Sequence, residues 1–152
     1  MSKRILMVCL GNICSSPLAH GIMAAISPNS FVDSAGMGSY HIGGRPDPRS
    51  IQVAQNNGVY IGHQCARKFQ YTDFMEFDHI FVMDRQNYRD VIANANNQND
   101  VDKVELLCEA AGMGMRSVPD PYYGGKKGFE EVFTLVKTAC QRIVKQWKEI
   151  DE

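Results

Sequence analysis

The stretch V-C-L-G-N-I-C-S-S-P, residues 8–17, decides the fold. It follows a short apolar run, residues 5–8, which predicts a buried strand. Serine followed by proline favours the start of a helix, so we assign Ser16 as the helix cap and Pro17 as the first helical residue. Gly11 allows a sharp backbone turn between the strand and the helix. This arrangement predicts a site for an anion of phosphate size at the start of the helix.

Apolar runs and helical periodicity continue in alternation along the rest of the chain. We predict further strands at residues 30–34, 79–83 and 103–107, and helices at residues 17–28, 48–57, 73–77, 85–95 and 129–147. A glycine-rich loop follows the second strand, and residues 112–127 are predicted as loop. The alternation predicts an α/β fold with a four-stranded parallel sheet, helices on both faces and a phosphate-binding loop after the first strand. Ligands of such sheets bind beyond the carboxyl ends of the strands.

Length and composition set limits on the kind of protein. With 152 residues, 44% hydrophobic and 22% charged, the sequence predicts one domain over residues 1–152. A formal net charge of -1 gives no reason to expect a nucleic-acid or membrane partner. The five cysteines are irregularly spaced and follow no secretion signal, so we expect reduced thiols in a cytoplasmic protein. No second Cys or His pair follows Cys9 and Cys14, so no metal site is expected.

Cys9 is placed where its thiol could react. Backbone N–H groups and the positive end of the following helix face the same point, which stabilises a thiolate there. A thiolate beneath a bound phosphate ester is a nucleophile directed at phosphorus. The alternative interpretation is a buried structural cysteine in an ordinary strand–helix turn.

A second motif, V-P-D-P-Y-Y-G-G at residues 118–125, supplies a candidate general acid. Asp120 lies between two prolines that restrict the backbone, and Tyr122 and Tyr123 follow as possible walls for an aromatic substrate. Taken alone, the motif favours a rigid turn carrying exposed tyrosines over a general acid. Together with the loop at Cys9, it favours a phosphatase that protonates its leaving group.

The sequence resembles the low-molecular-weight protein tyrosine phosphatases along its whole length. The motifs are V-C-L-G-N-I-C at 8–14, D-S-A-G at 33–36, P-D-P-R at 46–49, D-F-x-x-F-D at 73–78, V-M-D at 82–84 and D-P-Y-Y-G at 120–124. The resemblance implies that Cys9 forms a phosphocysteine and that Asp120 protonates the leaving tyrosine and then activates water. It implies phosphotyrosine proteins or aryl phosphates as substrates, inorganic phosphate as product or inhibitor, and neither metal nor cofactor.

The resemblance also assigns supporting roles. Loop support falls to the side chains of Asn12, Ser16, Ser34 and Asp84, and the cleft walls to Leu10, Tyr40, Tyr122 and Tyr123. Cys14 corresponds to a neighbour that can form a reversible disulfide with the nucleophile. The phosphate-binding residues implied are Leu10, Gly11, Asn12, Ile13, Cys14, Ser15 and Ser16.

Ser15 departs from the family pattern, which has arginine at this position. That arginine contacts the phosphate through two hydrogen bonds, which a neutral serine cannot replace. We therefore expect impaired turnover and expect Asp84 to lose its partner, leaving its charge uncompensated. Arg45, Arg49 and Arg67 are the candidates for a replacement cation.

Two alternatives to the phosphatase remain open. One is a non-catalytic module that binds phosphotyrosine or another oxyanion. The other is an arsenate reductase, against which the D-P-Y-Y motif argues, because an acid and aromatic walls suit an aryl leaving group. Gln64 occupies a place where the family often has histidine, and we assign no functional role to His20, His41, His63 or His79.

Overall fold

The computed structural model describes residues 2–122 and 124–151. Four parallel strands form one sheet in the order β2-β1-β3-β4, which confirms the predicted fold class. The elements in chain order are β1 (Arg4–Cys9), α1 (Ser15–Ile26), β2 (Phe31–Gly36), α2 (Pro48–Asn56), α3 (Asp73–Glu76), β3 (His79–Val82), α4 (Arg85–Ile92), α5 (Gln98–Asp102), β4 (Val104–Leu106), α6 (Leu107–Ala110) and α7 (Lys126–Asp151). No helix in this described part of the chain has the length and apolar character needed to cross a bilayer.

Helices cover both faces of the sheet, because the buried strand β1 alternates its side chains between two cores. Ile5 and Met7 point into the core formed with α1 and α7. Leu6 and Val8 point into the opposite core, where Phe74 and other side chains of the α3 and α4 region pack. The side chains of residues 5–8 are fully buried, so this strand forms the centre of the fold.

The neighbours of β1 in the sheet lie on opposite sides of this strand, so the order of the strands reverses at β1. Strand β1 lies between β2 on one side and β3 on the other, and all three run parallel. The connections to these neighbours leave a crevice at this point, which is where doubly wound sheets bind their ligands. The fold therefore places the loop after Cys9 at its topological switch point.

The start of α1 differs from the prediction. The helix begins at Ser15 after Cys14, whose side chain makes no capping hydrogen bond, so Ser16 is the second helical residue and the assignment of Ser16 as cap was wrong. The hydroxyl of Ser16 is engaged in the loop instead, at 3.0 Å from the Cys9 sulfur. The same reasoning was right for α2, where Asp47 accepts a hydrogen bond from the Arg49 N–H at 2.8 Å and Pro48 is the first helical residue.

The short helices α5 and α6 were not predicted, and α7 begins inside the stretch predicted as loop. Helices of four and five residues offer too few turns for a hydrophobic period to emerge. Capping holds α5 in place, since Asn97 Oδ1 accepts a hydrogen bond from the Asp100 N–H at 2.9 Å.

An aromatic cluster closes the far end of the sheet. The imidazole of His79 stacks on Phe81 with ring centres 5.6 Å apart and lies 4.8 Å from the Trp147 ring centre. The Lys3 ammonium sits 5.0 Å above the Trp147 ring. Burial, with a smaller contribution from Lys3, lowers the pKa of His79 below its ordinary value of 6.5.

This lowered pKa predicts that acid destabilises the fold through His79. The unfolded chain binds a proton at His79 more readily than the folded chain, so the free energy of unfolding should fall as pH drops below 6.5. His79→Phe should make this decline shallower, while the exposed His63→Gln should leave it unchanged. Urea unfolding followed by circular dichroism across this pH range measures the slopes. Equal slopes for His79→Phe and the parent chain would contradict the prediction.

Candidate active site

The cysteine loop, residues 9–15, connects the last residue of β1 to the first residue of α1. Within the described residues, no hydrogen bond engages the backbone N–H groups of five loop residues: Leu10, Gly11, Ile13, Cys14 and Ser15. The first turn of a helix leaves its N–H groups without partners inside the helix, and its dipole adds a partial positive charge. The loop therefore presents a concave set of donors suited to an anion.

The Cys9 sulfur lies at the base of this concavity. It accepts a hydrogen bond from the Asn12 N–H at 3.2 Å and lies 3.0 Å from the Ser16 hydroxyl. The residue is only 7% exposed, and it lines the same cavity as the residues that carry the free loop donors. An anion held by those donors would therefore lie directly above the sulfur, as nucleophilic attack requires.

Asn12 sets the shape of the cysteine loop. Its φ of 57° lies in the left-handed region, which Asn tolerates better than most residues. Its side-chain amide donates to the Ser16 hydroxyl at 2.9 Å and accepts from the Arg67 N–H at 3.0 Å. The sharp turn thus falls on Asn12 and not on Gly11. Asn12 and Ser16 brace the loop from below, and their side chains do not line the cavity above it.

A cavity of about 490 Å³ opens above the cysteine loop. It brings the two predicted motifs together, because Cys9 and Asp120 both line it. Its lining residues are Cys9, Leu10, Gly11, Ile13, Cys14, Ser15, Tyr40, His41, Met83, Asp84, Asn87, Val118, Asp120 and Tyr122. Tyr123 lies outside the described residues.

The sequence analysis missed four of these lining residues: His41, Met83, Asn87 and Val118. Met83 stands in the V-M-D motif, one residue before Asp84, so its neighbourhood could have been inferred. His41 follows Tyr40 directly, which is the one signal that could have placed it near the cleft. Val118 opens the V-P-D-P-Y-Y-G-G motif two residues before Asp120, so it too could have been inferred, whereas Asn87 carried no comparable signal.

Asp120 lies on an exposed loop at the side of the cavity. Its Oδ1 accepts a hydrogen bond from the Tyr122 N–H at 2.9 Å, which fixes the turn between them. Arg49 holds the same loop from outside. It donates to the Gly124 carbonyl at 3.4 Å, and its guanidinium lies 5.4 Å from the Tyr122 ring centre. These contacts keep the carboxyl group and the aromatic wall together.

Asp84 caps helix α4 at the opposite wall. It accepts a hydrogen bond from the Asn87 N–H at 2.8 Å, and the Asn87 side chain accepts from the Asp84 N–H at 3.2 Å. The expectation that its charge is left without compensation was therefore wrong, since the helix N-terminus stabilises a carboxylate.

Across the described residues, no group of three or more His, Cys, Asp or Glu side chains is arranged to hold a metal ion.

Ser34 contacts a histidine and not the cysteine loop. Its hydroxyl lies 3.0 Å from His20 Nδ1. Burial lowers the pKa of His20, and the neighbouring Arg67 and His63 act in the same direction while Asp33 opposes them. Ser34 therefore reaches α1 through a neutral imidazole, and its predicted role in supporting the loop stays a prediction.

Ser15 lines the cavity where the expected arginine would stand. Among the described residues that line the cavity, none is lysine or arginine. Arg67 is held by Asp33 at 3.0 Å and Asp73 at 3.1 Å, and Arg49 is held by Asp47 at 2.9 Å. None of the three candidate cations, Arg45, Arg49 and Arg67, therefore lines the cavity.

Cys14 is a poorly reactive thiol in this setting. Burial raises the pKa of Cys14 to about 12, and the charges of Asp47, Asp120 and Cys9 add to the effect. It therefore stays protonated at neutral pH. This protonation would slow any attack on an oxidised Cys9, because the thiolate is the attacking form.

Comparison with known proteins agrees with this geometry. The family model for low molecular weight phosphotyrosine protein phosphatase matches residues 4–152. The low molecular weight phosphotyrosine protein phosphatase of Schizosaccharomyces pombe is 39% identical over 150 residues, covering 93% of this chain and 95% of the relative. A protein tyrosine phosphatase from Entamoeba histolytica, crystallised with Hepes in the active site, is 33% identical with a TM-score of 0.89 and covers 99% of both chains.

A third similar protein carries a ligand. Vibrio vulnificus Wzb in complex with benzylphosphonate is 28% identical, with a TM-score of 0.88, covering 95% of this chain and 98% of that one. The fold and the similar solved structures define the class of the α/β protein tyrosine phosphatases. This chain belongs to the low molecular weight phosphotyrosine protein phosphatase family, whose members are phosphoric monoester hydrolases.

Gly36 provides a test of how strictly the loop is shaped. A Cβ at this position would lie 2.8 Å from the Leu10 carbonyl oxygen and 3.1 Å from the Asn12 N atom. Gly36→Ala should therefore push the cysteine loop out of shape, costing about 1–3 kcal/mol of stability and weakening phosphate binding. Gly125→Ala is the matched control, because a Cβ there meets no described atom within 4 Å. Chemical denaturation and phosphate titration measure both effects, and a Gly36→Ala protein like the parent would refute this account.

Proposed function

We propose that this chain is a low-molecular-weight protein tyrosine phosphatase that acts through a phosphocysteine on Cys9, with turnover reduced by Ser15. One observation carries the proposal: the Cys9 sulfur lies under a ring of free backbone N–H groups, in a cavity that Asp120 also lines. Nucleophile, oxyanion donors and general acid thus share one cavity.

The proposed reaction has two steps. The Cys9 thiolate attacks phosphorus while the bond from phosphorus to the leaving oxygen breaks, and Asp120 gives that oxygen its proton. Water then attacks the phosphocysteine, Asp120 takes the proton from the water, and the sulfur leaves as a thiolate with inorganic phosphate as the product. The N–H groups of the cysteine loop stabilise the phosphoryl oxygens in both transition states.

We propose aryl phosphates and phosphotyrosine proteins as substrates. Tyr40, Leu10 and Tyr122 are 77%, 49% and 37% exposed at the cavity and provide an aromatic and apolar rim for a phenol ring. Benzylphosphonate bound to Vibrio vulnificus Wzb supports this choice, because it joins an aromatic ring to a phosphorus oxyanion. We further propose a single domain over residues 1–152 that works in the cytoplasm without metal or cofactor, with phosphate as product inhibitor.

Ser15 limits the proposed activity. An arginine would follow the phosphoryl oxygens with two hydrogen bonds as charge spreads toward the transition state, and a serine hydroxyl cannot. Loss of one transition-state donor costs roughly 3–4 kcal/mol, or about a hundred- to a thousandfold in rate. Binding should suffer less than turnover, because most of the donors belong to the backbone.

A second candidate is a module that binds phosphotyrosine without hydrolysing it. It is favoured by the donors of the cavity. Backbone N–H groups are present to bind an oxyanion, but no described lining residue is a lysine or arginine that could stabilise the transition state of hydrolysis. Turnover separates the two candidates.

Restoring the arginine tests the proposal. Ser15→Arg should raise kcat/KM for p-nitrophenyl phosphate by at least about a hundredfold over the chain as it stands. Ser15→Lys is the matched control, because it restores the charge without the paired hydrogen bonds and should recover less. Cys9→Ser in the Ser15→Arg background should abolish the gain.

Two results would contradict this expectation. Rapid turnover by the chain with Ser15 would mean that the arginine is not needed here. A folded Ser15→Arg protein that binds phosphate but stays inactive would favour the binding module.

Asp120 is tested through the leaving group. In the Ser15→Arg background, Asp120→Asn should slow phenyl phosphate by about a hundredfold or more, because a poor leaving group needs the proton. It should slow p-nitrophenyl phosphate less, since that leaving group is stable without protonation. Asp102→Asn, at an exposed site on α5, is the control and should change neither rate. Equal losses for the two substrates with Asp120→Asn would remove Asp120 from this role.

A further inference from the structure

We propose that His41, when protonated, supplies the positive charge for an oxyanion in the cavity of this chain and so makes oxyanion binding depend on pH. The inference rests on the proposed function only in requiring that the cavity bind a phosphate-like anion. It assigns a role to a residue that sequence analysis left without one.

The imidazole of His41 lies against the cysteine loop. A Cβ built on Gly11 would be 3.2 Å from His41 Cδ2 and 3.9 Å from His41 Nε2. The ring can approach this closely because Gly11 has no side chain, and the backbone N–H of Gly11 is one of the free donors. His41 and the loop donors therefore face the same cavity.

Hydrogen bonds hold the segment that carries His41. The Gly38 N–H donates to the Leu10 carbonyl at 2.8 Å, and the Gly44 N–H donates to the His41 carbonyl at 2.8 Å. The backbone of Ala66 holds the end of the segment. Its carbonyl accepts a hydrogen bond from the Gly43 N–H, and its N–H donates to the Gly44 carbonyl, each at 2.8 Å. The backbone of His41 is thus fixed although its side chain is exposed, so the backbone of this segment needs little ordering when an anion binds.

His41 is the one side chain among the described lining residues that can carry a positive charge. The other ionisable side chains that face the cavity are neutral or negative: Cys9 and Cys14 from the cysteine loop, Tyr40 beside His41, Asp84 from the start of α4, and Asp120 and Tyr122 from the acid loop. An imidazolium would offset these charges and donate a charge-assisted hydrogen bond to a bound oxyanion.

His41 can determine the charge of the cavity because position 15 is a serine and not an arginine. An arginine there would remain positive at any accessible pH and would dominate anion binding. With Ser15 in its place, the positive charge that a described lining residue can supply comes from the imidazolium of His41, and it is lost with the imidazolium proton. Oxyanion binding should therefore weaken as pH rises from about 5.5 to about 8.

Sulfate binding to a Cys9→Ser protein tests the inference. Sulfate keeps its double charge across this interval, and Cys9→Ser removes the titrating thiol below the site. By calorimetry, sulfate should bind about tenfold more tightly at about pH 5.5 than at about pH 8. Adding His41→Gln should reduce that ratio to about twofold or less, whereas His63→Gln, at an exposed site, should preserve it. Adding Ser15→Arg should give tight binding at both pH values, because its charge does not titrate.

The outcomes separate this inference from the proposed function. Equal sulfate affinity at both pH values in the Cys9→Ser protein would overturn the role of His41 and leave the phosphatase proposal standing. A pH dependence that survives His41→Gln would also overturn it and would point to another titrating group. Failure of the Ser15→Arg protein to bind sulfate at either pH would overturn the oxyanion site itself, and with it both proposals.

Discussion

The geometry of the cavity depends on the backbone of Asn12. The left-handed backbone conformation of Asn12, in the middle of the cysteine loop, turns the neighbouring N–H groups toward one point. Contacts with the surrounding residues stabilise this conformation. Its side chain bonds the Ser16 hydroxyl and the Arg67 backbone, while its own N–H bonds the Cys9 sulfur. The same residue thus fixes the curvature of the donors and the position of the sulfur beneath them. Gly36 leaves room for this arrangement from the adjoining strand.

Arg67 illustrates why a nearby arginine does not substitute for a missing one. Its guanidinium joins Asp33 of β2 to Asp73 of α3, and its backbone N–H braces Asn12. Burial by itself would lower the pKa of Arg67, but the hydrogen bonds and charges of Asp73 and Asp33 outweigh it and hold that pKa above its ordinary value. Drawing this side chain into the cavity would leave the largely buried Asp73 without its partner, which is a costly change. The positive charge of Arg67 therefore stabilises the fold and does not serve the cavity.

Much of the fold could be predicted because β1 and β3 are short apolar runs bounded by turns. The site could be predicted because Cys9 and Gly11 stand between a strand and a helix, where chain order alone places a ligand. Two of the failures depend on side-chain contacts that only the folded chain forms. Ser16 has the chemistry of a cap, but its hydroxyl is drawn to Cys9. His41 lies on an irregular loop, and only the folded chain places it over residues thirty positions earlier in the sequence.

The aromatic cluster around Trp147 has a practical consequence. The chain contains one tryptophan, and it lies near the amino end of β3, whereas the cavity lies beyond the carboxyl ends of the strands. Along α7, the 21 residue-to-residue steps from Lys126 to Trp147 span roughly 30 Å at the rise of an α-helix. Intrinsic fluorescence of this protein should therefore report on unfolding and on the charge of the stacked His79. An anion in the cavity should leave the tryptophan emission unchanged. The emission of Trp147 is therefore a signal for the folded state that does not depend on whether the cavity holds a ligand.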